Sequence, residues 1–234
     1  MLFLHETHKV KGRHEDGFEA EIRDGWMRSL AQGDDARLLY YAHHAHGSGM
    51  SYQVVTLTAI RDGAAWERLA RRIQNGDLQA FMTQLDRLRH DVSGKLLLPV
   101  HWSPLQSVDF AAVPTDARSH ELTLFMEDTG WPDSSLDDYI RMWDVDYYQV
   151  LSRYAVGKRL LDIQACFQVA HGTHLRREAI LWQKVLDPQV LLHLLTHQTP
   201  PEQKGPDSYM ATALKYRDQW QSRLLRTSDW SPMY

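Results

Sequence analysis

A chain of 234 residues, 43% hydrophobic and 24% charged, is long enough to bury the core of one large domain or two small ones. Its formal charge of −4, with no basic stripe, makes nucleic acid an unexpected partner. A single cysteine, Cys166, excludes an internal disulfide and a cysteine-rich metal motif, and the opening Leu2-Phe3-Leu4-His5-Glu6 reads neither as a leader nor as a membrane span, so a cytoplasmic protein is expected.

In chain order, Leu2 to His8 reads as a strand, and Lys11-Gly12-Arg13 as a turn. A helix follows with Phe18, Ile22, Trp26 and Leu30 at spacings of four, ended by Gly33-Asp34-Asp35. Leu38 to Ala45 and Gln53 to Ile60 are the next strands, joined through Gly47-Ser48-Gly49. Two helices carry Ala65, Trp66 and Leu69, then Leu78, Phe81, Leu85 and Leu88, and a strand from Lys95 to Val100 leads into Trp102-Ser103-Pro104. Asp109 to Ser119, centred on Pro114-Thr115-Asp116, reads as a linker.

The same order then runs again. Leu122 to Glu127 is a strand, and Tyr139, Trp143, Tyr147 and Leu151 repeat the helical spacing. Strands over Leu161 to Ala170 and Ala179 to Val185 follow, and Asp187 answers Asp62. A short helix at Leu191 to Leu195, a long one at Tyr209 to Trp220 and a strand at Ser222 to Arg226 complete the copy. His46-Gly47-Ser48 recurs as His171-Gly172-Thr173, and Trp102-Ser103-Pro104-Leu105 as Trp230-Ser231-Pro232-Met233. The offset grows from 125 to 128 between the two, which puts a short insertion in the proline-rich stretch 199–206. A repeat of this length is a small domain, not a solenoid unit.

Strand, helix, strand, strand, helix, strand is the ferredoxin-like order. The strands run apolar on both faces, as in Leu38-Leu39-Tyr40-Tyr41 and Ala179-Ile180-Leu181-Trp182, so helices alone cannot cover them. The expected fold is therefore α+β: two tandem ferredoxin-like repeats, 1–113 and 119–234, packed sheet to sheet as a pseudo-dimeric α+β barrel whose remaining strand edges would allow further homo-oligomerisation. The repeat order, the aromatic first helix and the closing Trp-Ser-Pro motif resemble the NIPSNAP-like branch of the dimeric α+β barrel superfamily. The resemblance implies a fold more than a reaction, since relatives include cofactor-independent monooxygenases of antibiotic biosynthesis, haem-degrading enzymes, lactone isomerases and proteins without known activity.

The densest chemistry is Tyr40-Tyr41-Ala42-His43-His44-Ala45-His46. On a strand His44 and His46 share a face and His43 takes the other. Two imidazoles can act as acid and base near neutral pH, or ligate a metal with a third partner. The second copy keeps only His171, so His43 and His44 are the candidate bases, with His5 or Glu6 orienting them; Glu127 is read as the equivalent of Glu6. His193 and His197 share a helical face without the glutamate of a zincin motif, and read as a solvated surface. Trp26, Tyr40, Tyr41, Tyr52 and Phe81 are candidates to line an apolar pocket between sheet and helices.

The reading is a cofactor-independent enzyme acting on a hydrophobic or aromatic small molecule, as a monooxygenase or a proton-transfer isomerase or cyclase, of the kind that tailors natural products. Two other classes stay open: a non-catalytic small-molecule-binding or assembly protein, and a haem- or metal-binding protein using the His43–His46 cluster.

Overall fold

The computed structural model describes residues 1–155, 159–173 and 176–234, the side chains of 202 and 203 excepted. Eight strands form one closed barrel: β1 (Leu2–Val10), β2 (Ala36–His44), β3 (Gln53–Ile60), β4 (Arg89–Pro99), β5 (Leu124–Trp131), β6 (Leu161–His171), β7 (Ala179–Val185) and β8 (Gln219–Thr227). The ring order is β1-β3-β2-β8-β5-β7-β6-β4, and every neighbouring pair is antiparallel. The strand runs β4-β1-β3-β2 and β8-β5-β7-β6 meet at two seams. One joins Ala42–His44 to Leu225–Thr227, and the other joins Leu96–Pro99 to Phe167–His171. The two outer edges of each strand run are thus paired to each other over these short seams.

The same backbone devices occur in both halves. A bulge follows Leu38 in β2 and Ile163 in β6, each bending its strand at the same depth. The first helix of each half changes to a π turn midway: Glu21–Trp26 between α1 (Glu15–Ala20) and α2 (Met27–Ala31), and Trp143–Tyr148 between α5 (Leu136–Met142) and α6 (Gln149–Ser152). A strict spacing of four drifts about 40° per step around an α-helix. The wider turn winds the row back, and Phe18, Ile22, Trp26 and Leu30 all stay buried.

Asp62 caps α3 (Gly63–Asn75) by accepting from the Ala65 amide at 2.8 Å, and Asp187 caps α7 (Pro188–Thr196) by accepting from Gln189 at 2.9 Å. Gly47 and Gly172 both take positive φ, +82° and +90°, which explains the recurrence of glycine after His46 and His171.

Each Trp-Ser-Pro motif serves the opposite half. Ser103 Oγ accepts from the Cys166 amide at 2.9 Å, and Ser231 Oγ from the Tyr41 amide at 3.1 Å. Trp102 donates to the Ile140 carbonyl and stacks on Tyr148, while Trp230 packs on Tyr41 at 4.9 Å. The linker also crosses over: Phe110 and Val113 are buried with the residues that fill one end of the barrel.

Some expected bounds shift. The helix expected over Tyr209–Trp220 is the short α8 (Tyr209–Ala213), because Trp220 already pairs with Gly130 in the sheet and Arg217 turns inward to Tyr139. In the first half, α4 (Gln79–Leu88) fills the corresponding place. Among the described residues no helix is long and apolar enough to cross a membrane.

Candidate functional site

The barrel interior has two unlike ends. At one, Phe3, Tyr40, Phe125, Phe167, Trp182 and Leu225 pack against the linker's Phe110, with Arg37 and Arg61 lying over that ring at 5.0 and 4.9 Å. The other end opens into a cavity of about 570 Å³. Strand alternation carries the same inward faces from one to the other: Phe3 is followed by His5, Thr7 and Lys9, and Phe125 by Glu127, Thr129 and Trp131.

A buried ion cluster forms where apolar filling gives way to the cavity. His5 Nε2 lies 2.7 Å from Glu127 Oε2, and Arg223 donates from Nε to Glu127 Oε1 at 3.0 Å, again from Nη2, and from Nη1 to Thr7 Oγ1 at 3.3 Å. Burial works to raise the Glu127 carboxyl pKa, but Arg223 and His5 outweigh it and hold the group well below the usual carboxylate range. Nearer the rim, Glu178 ties two elements together, pairing with Lys95 at 2.8 Å and accepting from Trp131 Nε1 at 2.6 Å. Lys9 pairs with Asp91 at 3.0 Å.

His44 also lines this cavity, with the loop around Gly49 folded over it. Its Nδ1 and Nε2 are shut from solvent, and neither has a partner among the described residues. Burial, reinforced by the nearby Arg223 charge, lowers its pKa to about 4, so the ring is neutral at physiological pH. A buried polar group without a partner is rare enough to require an explanation, and a bound molecule supplies one.

The structure brings together two of the expected catalytic residues, His5 and His44, and separates the other two. His43 leaves β2 on the helix side, bonded to Glu19 at 3.2 Å and Ser228 at 3.2 Å, with Glu15 at 3.3 Å. Burial opposes Glu19's ionisation, yet bonds from His43, Trp230 and Ser228 bring its pKa down to about 2. Glu6 also faces the helices; burial pushes its carboxyl pKa up and Arg89 offsets part of the rise. His43, His44 and His46 border a second cavity of about 310 Å³ together with Glu15 and Arg226, but among the described residues no three His, Cys, Asp or Glu side chains group as a metal site. His193 and His197 are exposed and stacked on each other at 3.9 Å.

Glu127 corresponds to His5, not to Glu6. His5 stands opposite Leu57 in β3 as Glu127 stands opposite Trp182 in β7, with Phe3 matched by Phe125 and Thr7 by Thr129. A one-residue slip in register exchanges the two faces of a strand. The pattern Phe-x-x-x-Thr at 3–7 and 125–129 is the signal that would have set the register, and with it Arg223 as the counterpart of Lys95.

The five aromatic candidates do not line one pocket. Trp26 and Tyr41 are packed in the helix-side core, Phe81 lies against Gly25 in the same layer, Tyr40 belongs to the closed end of the lumen, and Tyr52 is half exposed over Gly12. In the second half the space between helices and sheet is filled by Trp143, Ile163, Cys166 and Leu181, with a bonded polar row beside them: Tyr147 donates to Gln183 at 2.7 Å, and Gln183 to Asp128 at 2.9 Å.

No family model matches this chain. No curated protein matches it in sequence either. Among solved structures, an anthrone oxidase-like protein is similar over 97% of this chain and 91% of its own, with 6% identity and a TM-score of 0.63. A candidate monooxygenase from Lactobacillus acidophilus NCFM is similar over 99% and 96%, with 7% identity and a TM-score of 0.58. An uncharacterized NIPSNAP domain protein from Burkholderia xenovorans covers 44% of this chain and 97% of its own, with 18% identity and a TM-score of 0.35. At 6 and 7% identity the first two likenesses concern the fold alone.

Proposed function

Starting from a chain with the dimeric α+β barrel fold, we propose that it is a cofactor-independent enzyme that moves a proton on a small organic molecule held in the open end of the barrel lumen. The observation that carries this reading is His44, a neutral imidazole on the cavity wall whose ring nitrogens have no partner among the described residues and lie under the loop around Gly49, so that a substrate reaches them when that loop lifts. In this reading His44 takes a proton from a carbon next to a carbonyl. The C–H electron pair passes into the carbonyl to give an enolate, for which the Ser93 and Thr129 hydroxyls on the cavity wall are the donors. Where a C=C adjoins that carbon the enolate extends over it, and return of the proton to the far end of that bond completes an isomerisation with no net oxidation. His5, fixed by Glu127, is the second acid–base group beside it.

The substrate reading moves with the site. An apolar molecule between sheet and helices gives way to a molecule with an apolar part for Trp131 and Met50 and a polar part for the cluster below. The halves themselves read as tandem ferredoxin-like copies, 1–113 and 119–234; the paired bulges, π turns, helix caps and crossed Trp-Ser-Pro motifs support that reading.

The test begins with native mass spectrometry of the purified protein to identify a retained organic molecule. Solvent-deuterium exchange into that molecule is then compared between wild type and His44→Val. Exchange lost in a variant of unchanged thermal midpoint is the expected result, and equal exchange would contradict the reading. Oxygen consumption alongside exchange would extend the same first step to oxygenation, the activity in the names of two neighbours. Retention without exchange would leave a binding protein.

A further inference from the structure

Resting on the lumen reading above, we infer that the substrate is a singly charged organic carboxylate, held by Arg223 and Lys95 with its uncharged part against Trp131 and the loop between β2 and β3. The cavity wall carries Lys9, Lys95 and Arg223 and no carboxylate among the described residues. The acids are behind it. Glu127 and Glu178 have no exposed side-chain surface, while their partners Arg223 and Lys95 keep 14% and 20%. Each pair therefore turns its positive end to the cavity and its negative end to the wall.

That arrangement sets the charge of the ligand as well as its sign. Two internally compensated pairs act as oriented dipoles and add no net charge. They can hold one negative charge, but a phosphate dianion needs cations that are not already neutralised. The remaining cation, Lys9, sits at the rim with about half its side chain in water, and its acid partner Asp91 is exposed beside it. Arg223 Nη1, bonded among the described residues to Thr7 alone at 3.3 Å, still has donor capacity, and Ser93 and Thr129 add hydroxyls around the same space.

His44 links binding to reaction. An anion seated against Arg223 offsets the positive charge that weakens the imidazole as a base, so the ring gains basicity only when the substrate is present. A neutral ligand gives no such gain.

The test is calorimetric titration with 2-naphthoate, its neutral isostere 2-naphthamide, and inorganic phosphate. Wild type is expected to prefer the carboxylate by about tenfold or more, as charge-assisted hydrogen bonds require. The preference falls several-fold, with Arg223 left in place, in Lys95→Gln combined with Glu178→Gln, which removes both charges together so that neither is left buried alone. Lys9→Gln, a rim change that the fold tolerates, weakens the carboxylate only a few-fold. Added sodium chloride weakens the carboxylate and leaves the amide unchanged. Equal affinity for carboxylate and amide, or binding of neither, overturns the inference, and phosphate competing as strongly as naphthoate overturns the single charge. If the amide binds equally and loses affinity in His44→Val, the lumen stands and only the charge assignment fails. Naphthoate binding untouched by both His44→Val and the double variant removes the lumen reading itself.

Discussion

In the first half of the chain His8 stands beside Phe18 and accepts a hydrogen bond from Arg89 at 2.8 Å. In the second half Gly130 stands where His8 does, and Tyr139, where Phe18 does, fills the space with its hydroxyl and accepts from Arg217 at 2.6 Å. Two sequences thus solve one problem, an acceptor for a buried guanidinium, from different positions. The lumen behaves otherwise. There His5 of the first half has Glu127 as its counterpart and the two bond across the barrel, while Lys95 pairs with Glu178 of the second half and its own counterpart Arg223 donates to Thr7 of the first. The helix layers meet the same demand separately in each half, whereas in the lumen side chains of the two halves bond to each other.

The sharpest way to break that contrast is Glu127→Ala, which leaves Arg223 and His5 facing each other without their shared acid. Loss of one partner from a buried pair costs about 3 to 5 kcal/mol, read by denaturant unfolding, and a loss below about 1 kcal/mol would mean that the halves are not coupled there. Gly130→Ala comes next. Its new Cβ would lie 2.1 Å from the Tyr139 hydroxyl, so overpacking costs up to about 3 kcal/mol, and a neutral result would undo the His8-for-Tyr139 exchange. Ser103→Ala and Ser231→Ala each remove one acceptor from a buried amide, and should lower stability by similar amounts, about 1 kcal/mol or more. Unequal losses would show that the two crossings are not equivalent.

The smallest net effect is expected from pH, because the halves oppose each other. Burial first, and then Arg89, lowers the His8 pKa from 6.5 to about 3. Between those values only the unfolded chain takes up the proton, so the stability His8 contributes at neutral pH is lost as pH falls below 6.5. Burial raises the Asp128 pKa from 3.8 to about 6, so the folded chain takes up that proton first and gains stability as pH falls from about 6 toward 3.8. Thermal midpoints followed across that range should fall less steeply in His8→Gln than in wild type, and more steeply in Asp128→Asn.

Much of the frame was legible in the sequence. The bounds of β3 and β7, the caps Asp62 and Asp187 and the four-spaced aromatic rows follow from local chemistry, and the structure has each of them. Faces were harder. The β5 register was lost because Glu127 and Glu6 look alike in sequence, and placing Glu127 one residue off hid the His5–Glu127–Arg223 cluster. Arg223 and Lys95 carry no motif; their meaning arises only when strands distant in sequence close the ring. Periodicity does not say which side of the sheet a strand residue fills, so Tyr40 and Tyr41 are expected in one pocket although they lie on opposite faces.

Those opposite faces also carry the reporters for the most direct test. His5 and His44 face the lumen, while His8 and His43, on the same two strands, face the helices. In a nitrogen-15 histidine NMR titration with 2-naphthoate, His44 is identified by the resonance missing from His44→Val. A ligand in the lumen shifts the His44 and His5 signals and leaves His8 and His43 in place. Shifts at His8 and His43 with His44 silent would put the ligand between sheet and helices and contradict the account.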